Sequence, residues 1–240
     1  MSDEEKAKIS LNGVKFGTKH SYNDFGLVLQ KKDISLPKPK TEKIEVTGRN
    51  GAIDLTESLT DEVTFENRPI TFTFVVLNGL LYWSKALSEL TNYLHGRKMQ
   101  IILDADKTFY YYGRCTVDKF ESKQRLATIV VKCDVEPFKI EVNGAGMPWL
   151  WDTFSFVNGI IHVNEVTVAG TKVVNLLNRR KVVSPTFTCS APMTATFNGV
   201  TYKLPAGKTT VYDIRLQEGD NNVTFKGTGT VKIEYKGGSL

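Results

Sequence analysis

The sequence predicts a mainly β protein, a β-rich α+β fold with two domains over residues 1–140 and 141–240. Alternating polar and apolar residues recur along most of the chain, which is typical of strands. Only the stretch Tyr82–His95 carries apolar residues at helical spacing. After the glycine-rich segment 143–148 the pattern is one of short strands with turn signals between them, which predicts a jelly-roll β-sandwich as the second domain.

Composition and charge narrow the class of protein. The chain has 240 residues, of which 41% are hydrophobic and 24% charged, so it can bury a sizeable core. The net charge of +5 is mild and forms no dense basic stripe, which argues against sequence-specific nucleic-acid binding. No apolar run is long enough to span a membrane, and the charged N-terminus lacks the apolar core of a signal peptide.

Two elements of the first domain follow from periodicity. A long strand over Val63–Val76 should bury one face, which consists of Ile70, Phe72, Phe74 and Val76. The helix over Tyr82–His95 should end before Gly96, because glycine is typical just past a helix C-terminus. We expect it to pack against a sheet with the face formed by Trp83, Leu87, Leu90 and Leu94.

A hairpin arm is predicted within Pro37–Asp54. Asn50-Gly51, between alternating polar and apolar residues, is the strongest signal for a two-residue turn. Pro37 and Pro39 keep the preceding passage extended. Asn198-Gly199 predicts a second hairpin in the other domain by the same reasoning.

The residues carry no catalytic constellation, so we expect no enzymatic activity, cofactor or metal site. Asp104 and Asp106 are either paired carboxylates for acid–base chemistry or, the interpretation we favour, turn residues between strands. The histidines at positions 20, 95 and 162 are too scattered for a metal site. No phosphate loop, dinucleotide glycine pattern or Gly-x-Ser-x-Gly motif is present.

Three other features have two readings each. The triplet Arg179-Arg180-Lys181 is a solvated hairpin tip or, less favoured, a nucleic-acid contact. Cys115 and Cys133 should lie nearly opposite each other across the turn 121–125, as a disulfide or, as we prefer, as two buried thiols in a protein made in a reducing cytoplasm. Trp149 and Trp151 could stack on sugars but more simply pack at the domain boundary.

The strand Phe109–Tyr112 has aromatic residues on both faces. Tyr110 and Tyr112 share one face, and tyrosine is enriched at interfaces, so this face is a candidate interdomain or intersubunit surface.

The chain resembles the distal tail protein family of long-tailed bacteriophages with non-contractile tails. The resemblance rests on ordered segments of the first domain, with a looser match near the C-terminus. These segments are 24–27, 37–39, 46–55, 65–70, the helix ending at 95–96, 111–114 and 133–139, followed by 216–223 and 231–235. Thr47 departs from the pattern, where the family would have proline.

The resemblance implies a structural virion protein at the phage tail tip, assembled in the host cytoplasm. First domains would form a homo-hexameric ring, with the major tail-tube protein on one face and the tail-associated hub or fibre protein on the other. The second domain would be a galectin-like sandwich that can carry receptor-binding parts. A subunit of a closed ring needs a head-to-tail interface, and the hairpin arm is our candidate. Arg49 and Asn50 either contact the neighbouring subunit or form a free surface turn.

Two alternative functions are left open. The second domain could be a carbohydrate-binding module for host glycans, in which case Trp149, Trp151 or Tyr202 would form an exposed aromatic shelf. A cell-wall glycosidase using Asp104 and Asp106 is the other alternative. Fold analogy establishes neither activity.

Overall fold

The structure, a computed structural model, describes residues 12–58, 60–76, 80–123, 126–145 and 162–240. Outside these residues lie positions 1–9, which the sequence predicts as a frayed tail, the turn predicted at Asn78-Gly79, and Trp149 and Trp151. The chain separates into two compact units. The first comprises Met1–Asp106 and Tyr111–Pro137, and the second comprises Lys107–Tyr110 and Phe138–Ser239. Both are built mainly of antiparallel strands, which confirms the predicted β-rich class.

The first unit is an antiparallel sheet with a helix packed on one face. The strands of this unit are β1 (Val14–Phe16), β2 (Lys19–His20), β3 (Leu27–Ile34), β4 (Lys43–Ile44), β5 (Ile53–Asp54), β6 (Arg68–Val76), β7 (Arg97–Leu103), β8 (Asp106–Lys123) and β9 (Leu126–Val135). The helices are α1 (Ser21–Phe25) and α2 (Leu80–Leu94). The sheet order is β2-β1-β7-β8-β9-β6-β3, and β4 and β5 form a separate pair.

The core of this unit follows the predicted periodicity. The alternating face of β6 is buried as expected, and Phe72 packs edge-on against Phe16 with ring centroids 5.7 Å apart. On α2, Trp83, Leu90 and Leu94 are buried against the same core, and Leu87 is half-buried beside them. Gly96 has φ +77°, which turns the chain from the helix into β7.

A second helix was missed by the periodicity. The sequence predicts a loop over Ser21–Asp24 and a strand that begins at Phe25, but Ser21–Phe25 forms the short helix α1. His20 caps its N-terminus, because the ring Nδ1 accepts hydrogen bonds from the backbone N–H groups of Tyr22 and Asn23. Gly26 ends it in a left-handed conformation with φ +64°. The stop signal was present in the sequence, but histidine is not among the usual capping residues.

The two cysteines of the β8–β9 hairpin face each other as predicted. Cys115 and Cys133 are a directly registered pair, and both are buried. They are free thiols whose sulfur atoms lie 3.2 Å apart. The hydrogen bond to Cys115 and burial both raise the pKa of the Cys133 thiol, so the unreactive protonated form is favoured.

The second unit contains a six-stranded antiparallel sheet, and its first and last strands pair with each other outside that sheet. Its strands are β10 (Lys139–Glu141), β11 (Glu165–Asn175), β12 (Thr186–Cys189), β13 (Met193–Phe197), β14 (Val200–Leu204), β15 (Gly207–Thr210), β16 (Asn222–Glu234) and β17 (Gly238–Ser239). The long strand β16 pairs with β11 along one edge, and on the other edge first with β13 and then with β12. In the core, Phe187 of β12 packs against Phe225 of β16, with ring centroids 5.6 Å apart.

Strand β16 corrects a predicted break. The sequence predicts separate strands over 222–226 and 230–235, with Gly227 and Gly229 between them. Both glycines have positive φ (+153° and +147°), and the strand continues through them. A side chain there would approach the Met193 Cβ and Ser190 Oγ to within 2.7 and 2.5 Å, so the glycines admit the crossing segment. The Asn198-Gly199 hairpin is confirmed, with positive φ at both residues.

Candidate interaction site

The predicted arm is present and is anchored at its base. Pro39 and Phe65 form an isolated antiparallel bridge. Hydrogen bonds flank it on both sides, from Lys40 N–H to the Thr64 carbonyl (2.9 Å) and from Glu66 N–H to the Lys38 carbonyl (2.8 Å). The two ends of the arm are therefore held together at Pro39 and Phe65, and the residues between them can project as a single arm.

The turn at the tip of the arm differs from the prediction. The strand pairing toward the tip ends at Ile44 and Ile53, so the loop is longer than a two-residue Asn50-Gly51 turn. The hydrogen-bonded turn runs from Val46 to Arg49, whose N–H reaches the Val46 carbonyl at 3.1 Å. Gly48 supplies the positive φ (+86°) that the third position of a type II turn requires. Asn50 has no positive φ, so the predicted Asn-Gly turn is wrong.

The tip of the arm exposes apolar as well as polar side chains. Every residue from 41 to 52 is exposed, including Arg49 and Asn50. Ile44 and Val46 are 46% and 44% exposed, and Leu36 at the base is 78% exposed. Apolar side chains grouped on an arm that buries few of its own residues are typical of a surface completed by a partner.

The other predicted interface residues differ in exposure. Pro37 is buried within the chain, whereas Pro39 is exposed. Tyr112, in the first unit, is 37% exposed. Tyr110, in the second unit, is half-buried, and the Lys236 ammonium lies 5.6 Å from the centre of its ring. Burial removes Pro37 from the candidate interface.

Asp104 has a structural role in its unit. Its Oδ2 accepts the Gly13 backbone N–H at 2.9 Å and lies 2.8 Å from His20 Nε2. Because His20 Nδ1 accepts backbone N–H groups, the ring proton lies on Nε2 and is donated to Asp104. This arrangement agrees with the turn interpretation. Within the described residues, no three His, Cys, Asp or Glu side chains are grouped so that they could hold a metal ion.

A buried polar cluster in the second unit was missed by sequence reasoning. Glu141 accepts hydrogen bonds from Arg179 Nε and from the Gly237 backbone N–H, and its Oε2 lies 3.0 Å from His162 Nε2. The other ring nitrogen of His162 faces the Tyr235 hydroxyl at 3.3 Å, and that hydroxyl donates to the Leu177 carbonyl. Arg179 is therefore part of a buried network, and the prediction that it lies in a solvated tip is wrong.

The charges of this cluster compensate one another. Burial raises the pKa of the Glu141 carboxyl, but the hydrogen bonds and positive charges of His162 and Arg179 outweigh burial, so the pKa lies below its ordinary value. The Arg179 guanidinium also lies 4.9 Å from the centre of the Phe109 ring. Burial, together with the Glu141 charge, raises the pKa of the Tyr235 hydroxyl. Each of these polar groups has a hydrogen-bond or ion-pair partner within the second unit, which is typical of a structural cluster.

Arg68 is the one buried cation of the first unit's described core. It is 2% exposed, and its Nε and Nη2 atoms have no hydrogen-bond partner there. Its guanidinium stacks 4.7 Å from the centre of the Tyr111 ring. Burial lowers the pKa of Arg68, so the charge is held mainly by the aromatic face.

The residues proposed for sugar stacking do not form a described shelf. Tyr202 is half-buried and packs against the core of the second unit. Trp149 and Trp151 lie outside the described residues. The described helices include none long and apolar enough to cross a membrane.

These observations define a class of protein: a two-unit, β-rich chain with an anchored, exposed arm and polar clusters that are structural. No family model matches the chain, and no curated protein matches it in sequence. Its fold is similar to that of the crystal structure of SPP1 Dit (gp 19.1), with a TM-score of 0.62 and 14% sequence identity. The similarity covers 95% of this chain and 99% of that one. That structure is described as a paradigm of hub adsorption apparatus in Gram-positive infecting phages. The resemblance stated from the sequence is confirmed at the level of the fold.

Proposed function

We propose that this chain is a structural virion protein of a long non-contractile phage tail, without enzymatic activity. The observation that carries the proposal is the similarity to SPP1 Dit over nearly the full length of both chains, because it includes the second unit as well as the first. Six copies would form a ring at the distal tail tip. The ring would link the major tail-tube protein to the tail-associated hub or fibre protein and to the receptor-binding apparatus. Assembly would take place in the host cytoplasm.

The arm supplies the interface that a ring requires. A ring closes through a head-to-tail contact, in which one surface of each subunit meets a different surface of the next. The base of the arm is fixed by the Pro39–Phe65 bridge, so little conformational entropy is lost when the tip docks. We propose that the tip, with Arg49, Asn50, Ile44 and Val46, contacts the neighbouring subunit.

Negative-stain microscopy of the purified full-length protein tests the function. We expect six-fold rings with a central hole, and light scattering should give six times the mass of one chain. A protein that stays monomeric at high concentration, and forms no ring with a tail-tube partner, would count against the proposal.

A matched pair of substitutions tests the role of the arm. Val46→Asp places a charge on an exposed valine of the arm, and Val200→Asp does the same on an exposed valine of the second unit (53% exposed). Docking would desolvate the new carboxylate only in the arm variant, so we expect ring dissociation with Val46→Asp and intact rings with Val200→Asp. Rings that survive both changes would show that the arm is a free surface turn.

A further inference from the structure

The outer face of the second unit carries a two-row array of threonine and lysine, here called the threonine–lysine face. It comprises Thr201 and Lys203 of β14, Thr194 and Thr196 of β13, Thr224 and Lys226 of β16, and Thr171 and Val173 of β11. The register sets one row as 201-196-224-173 and the next as 203-194-226-171. The alternate residues of β13 are buried in the core, so these side chains point outward.

All residues of this face except Val173 line a cleft of about 990 Å³. Pro192 and Pro205 also line it, at the ends of β13 and β14, and Leu204 and Gly227 supply apolar surface. The volume lies at the upper end of the range for ligand sites in proteins. The described residues that line the cleft include no aromatic side chain and no carboxylate.

The two lysines of the cleft are uncompensated. Among the described residues, neither Lys203 nor Lys226 has a carboxylate within ion-pair distance. The other half of the same sheet behaves differently, because Lys208 and Lys232 both pair with Glu234 at 2.6 and 3.1 Å. Lys203 and Lys226 are two strands apart, so their backbones are separated by roughly 10 Å. The cleft therefore presents two separated positive charges to a ligand.

The hydroxyl groups retain hydrogen-bonding capacity. Thr196 and Thr201 bond to each other at 2.9 Å, which uses one donor and leaves the second donor and several lone pairs free. Thr194 reaches only a distant acceptor, the Lys226 carbonyl at 3.5 Å. Without aromatic rings the cleft has no platform for stacking nucleobases. Ammonium and hydroxyl groups together match a polymer that carries both anionic groups and hydroxyls.

We propose that the threonine–lysine face binds an acidic polysaccharide. Two of its anionic groups lie on Lys203 and Lys226, and its hydroxyls bond to Thr194, Thr196 and Thr201. This site uses charge and hydroxyl recognition, and it is distinct from the aromatic shelf considered from the sequence. Binding at this site does not require ring formation, so its test is independent of the proposed role in the tail.

Binding of defined polysaccharides to the full-length protein tests the site. The acidic probes are polygalacturonate, alginate and a phosphomannan. Dextran serves as the neutral polymer, and oligo-dT serves as a polyanion that is not a polysaccharide. We expect calorimetry to detect binding of at least one acidic polysaccharide, weakened by added salt, and little binding of dextran or oligo-dT. Failure of all three acidic polymers, or equal binding of oligo-dT, would overturn the proposal.

A charge-matched pair of double variants locates the site. Lys203→Gln/Lys226→Gln removes the two unpaired charges, and Lys208→Gln/Lys232→Gln removes two lysines that pair with Glu234. We expect about a tenfold or greater loss of affinity in the first and less than about twofold in the second, since only the first removes charge-assisted contacts. All four lysines lie on the outer surface, so circular dichroism should show both variants folded. Equal losses in the two variants would indicate non-specific attraction and refute the site.

Discussion

Glu141 holds the buried polar cluster of the second unit together, and its replacement gives the sharpest test of the structure. In Glu141→Gln the amide can still accept one hydrogen bond, but the negative charge between Arg179 and His162 is lost. Breaking a buried ion pair by removing one partner typically costs about 3–5 kcal/mol. Because Arg179 retains some exposure (17%), we expect the lower part of that range, about 3 kcal/mol.

Hydrogen exchange measured by mass spectrometry reports this loss locally. Glu141 lies on β10 and accepts the backbone N–H of Gly237, which precedes β17. Peptides over 139–145 and 231–240 should therefore exchange faster, by about two orders of magnitude for a 3 kcal/mol loss. Glu234→Gln is the control, because that carboxylate bridges two exposed lysines and should contribute less than about 1 kcal/mol. Exchange in Glu141→Gln within twofold of the wild type would refute the reasoning.

The pH dependence of the same difference has a defined sign. The folded pKa of Glu141 lies below its unfolded value of about 4.3. A carboxyl with a lowered folded pKa contributes its full stabilisation above the unfolded pKa and loses it as the pH falls through the folded pKa. The stability difference between the wild type and Glu141→Gln should thus shrink as the pH falls below about 4. A difference that grows as the pH falls below about 4 would contradict the assignment.

Two further predictions concern the first unit. Arg68→Met should leave the melting temperature unchanged or raise it, because a buried guanidinium with two unbonded nitrogen atoms is removed and a methionine can still pack on Tyr111; a fall of more than about 5 °C in a calorimetric scan would show that the charge is stabilising. His20→Ala should cost about 1–2 kcal/mol in urea unfolding, since α1 loses its cap and Asp104 loses a hydrogen-bond partner, and an unchanged midpoint would show that α1 needs no cap.

Elements with a strong local period were predicted well. The buried face of β6 and the packing face of α2 follow from spacing alone, because alternate residues of a strand and every third or fourth residue of a helix share a face. The Asn198-Gly199 turn and the facing positions of Cys115 and Cys133 also depend only on short-range geometry.

Features that depend on long-range neighbours were missed or misplaced. The helix α1 has too few residues for a period, and its cap is supplied by a histidine that Asp104 orients from 84 positions away. Strand β16 passes through two glycines because β11 pairs with it continuously from Asn222 to Lys232. The turn of the arm lies at Val46–Arg49 and not at the predicted Asn50-Gly51. The strand pairing ends at Ile44 and Ile53, so its register does not impose a two-residue turn at the tip.

The candidate interaction site was predicted in part. The sequence indicated an arm with proline at its base and Arg49 near its tip, but not that Pro37 is buried while Ile44 and Val46 are exposed. Burial depends on which part of the folded chain lies against each side chain, and no local pattern records it.

The sequence by itself determined the β-rich class, the main helix, the buried faces of the long strands and the resemblance that the fold comparison confirms. These rest on periodicity and turn chemistry, which act over a few residues. Only the tertiary structure placed Glu141, His162 and Arg179 together and left Lys203 and Lys226 without an ion-pair partner among the described residues. Strand pairing brings together residues that are far apart in the chain, and the electrostatic surroundings of a charge are set by those neighbours.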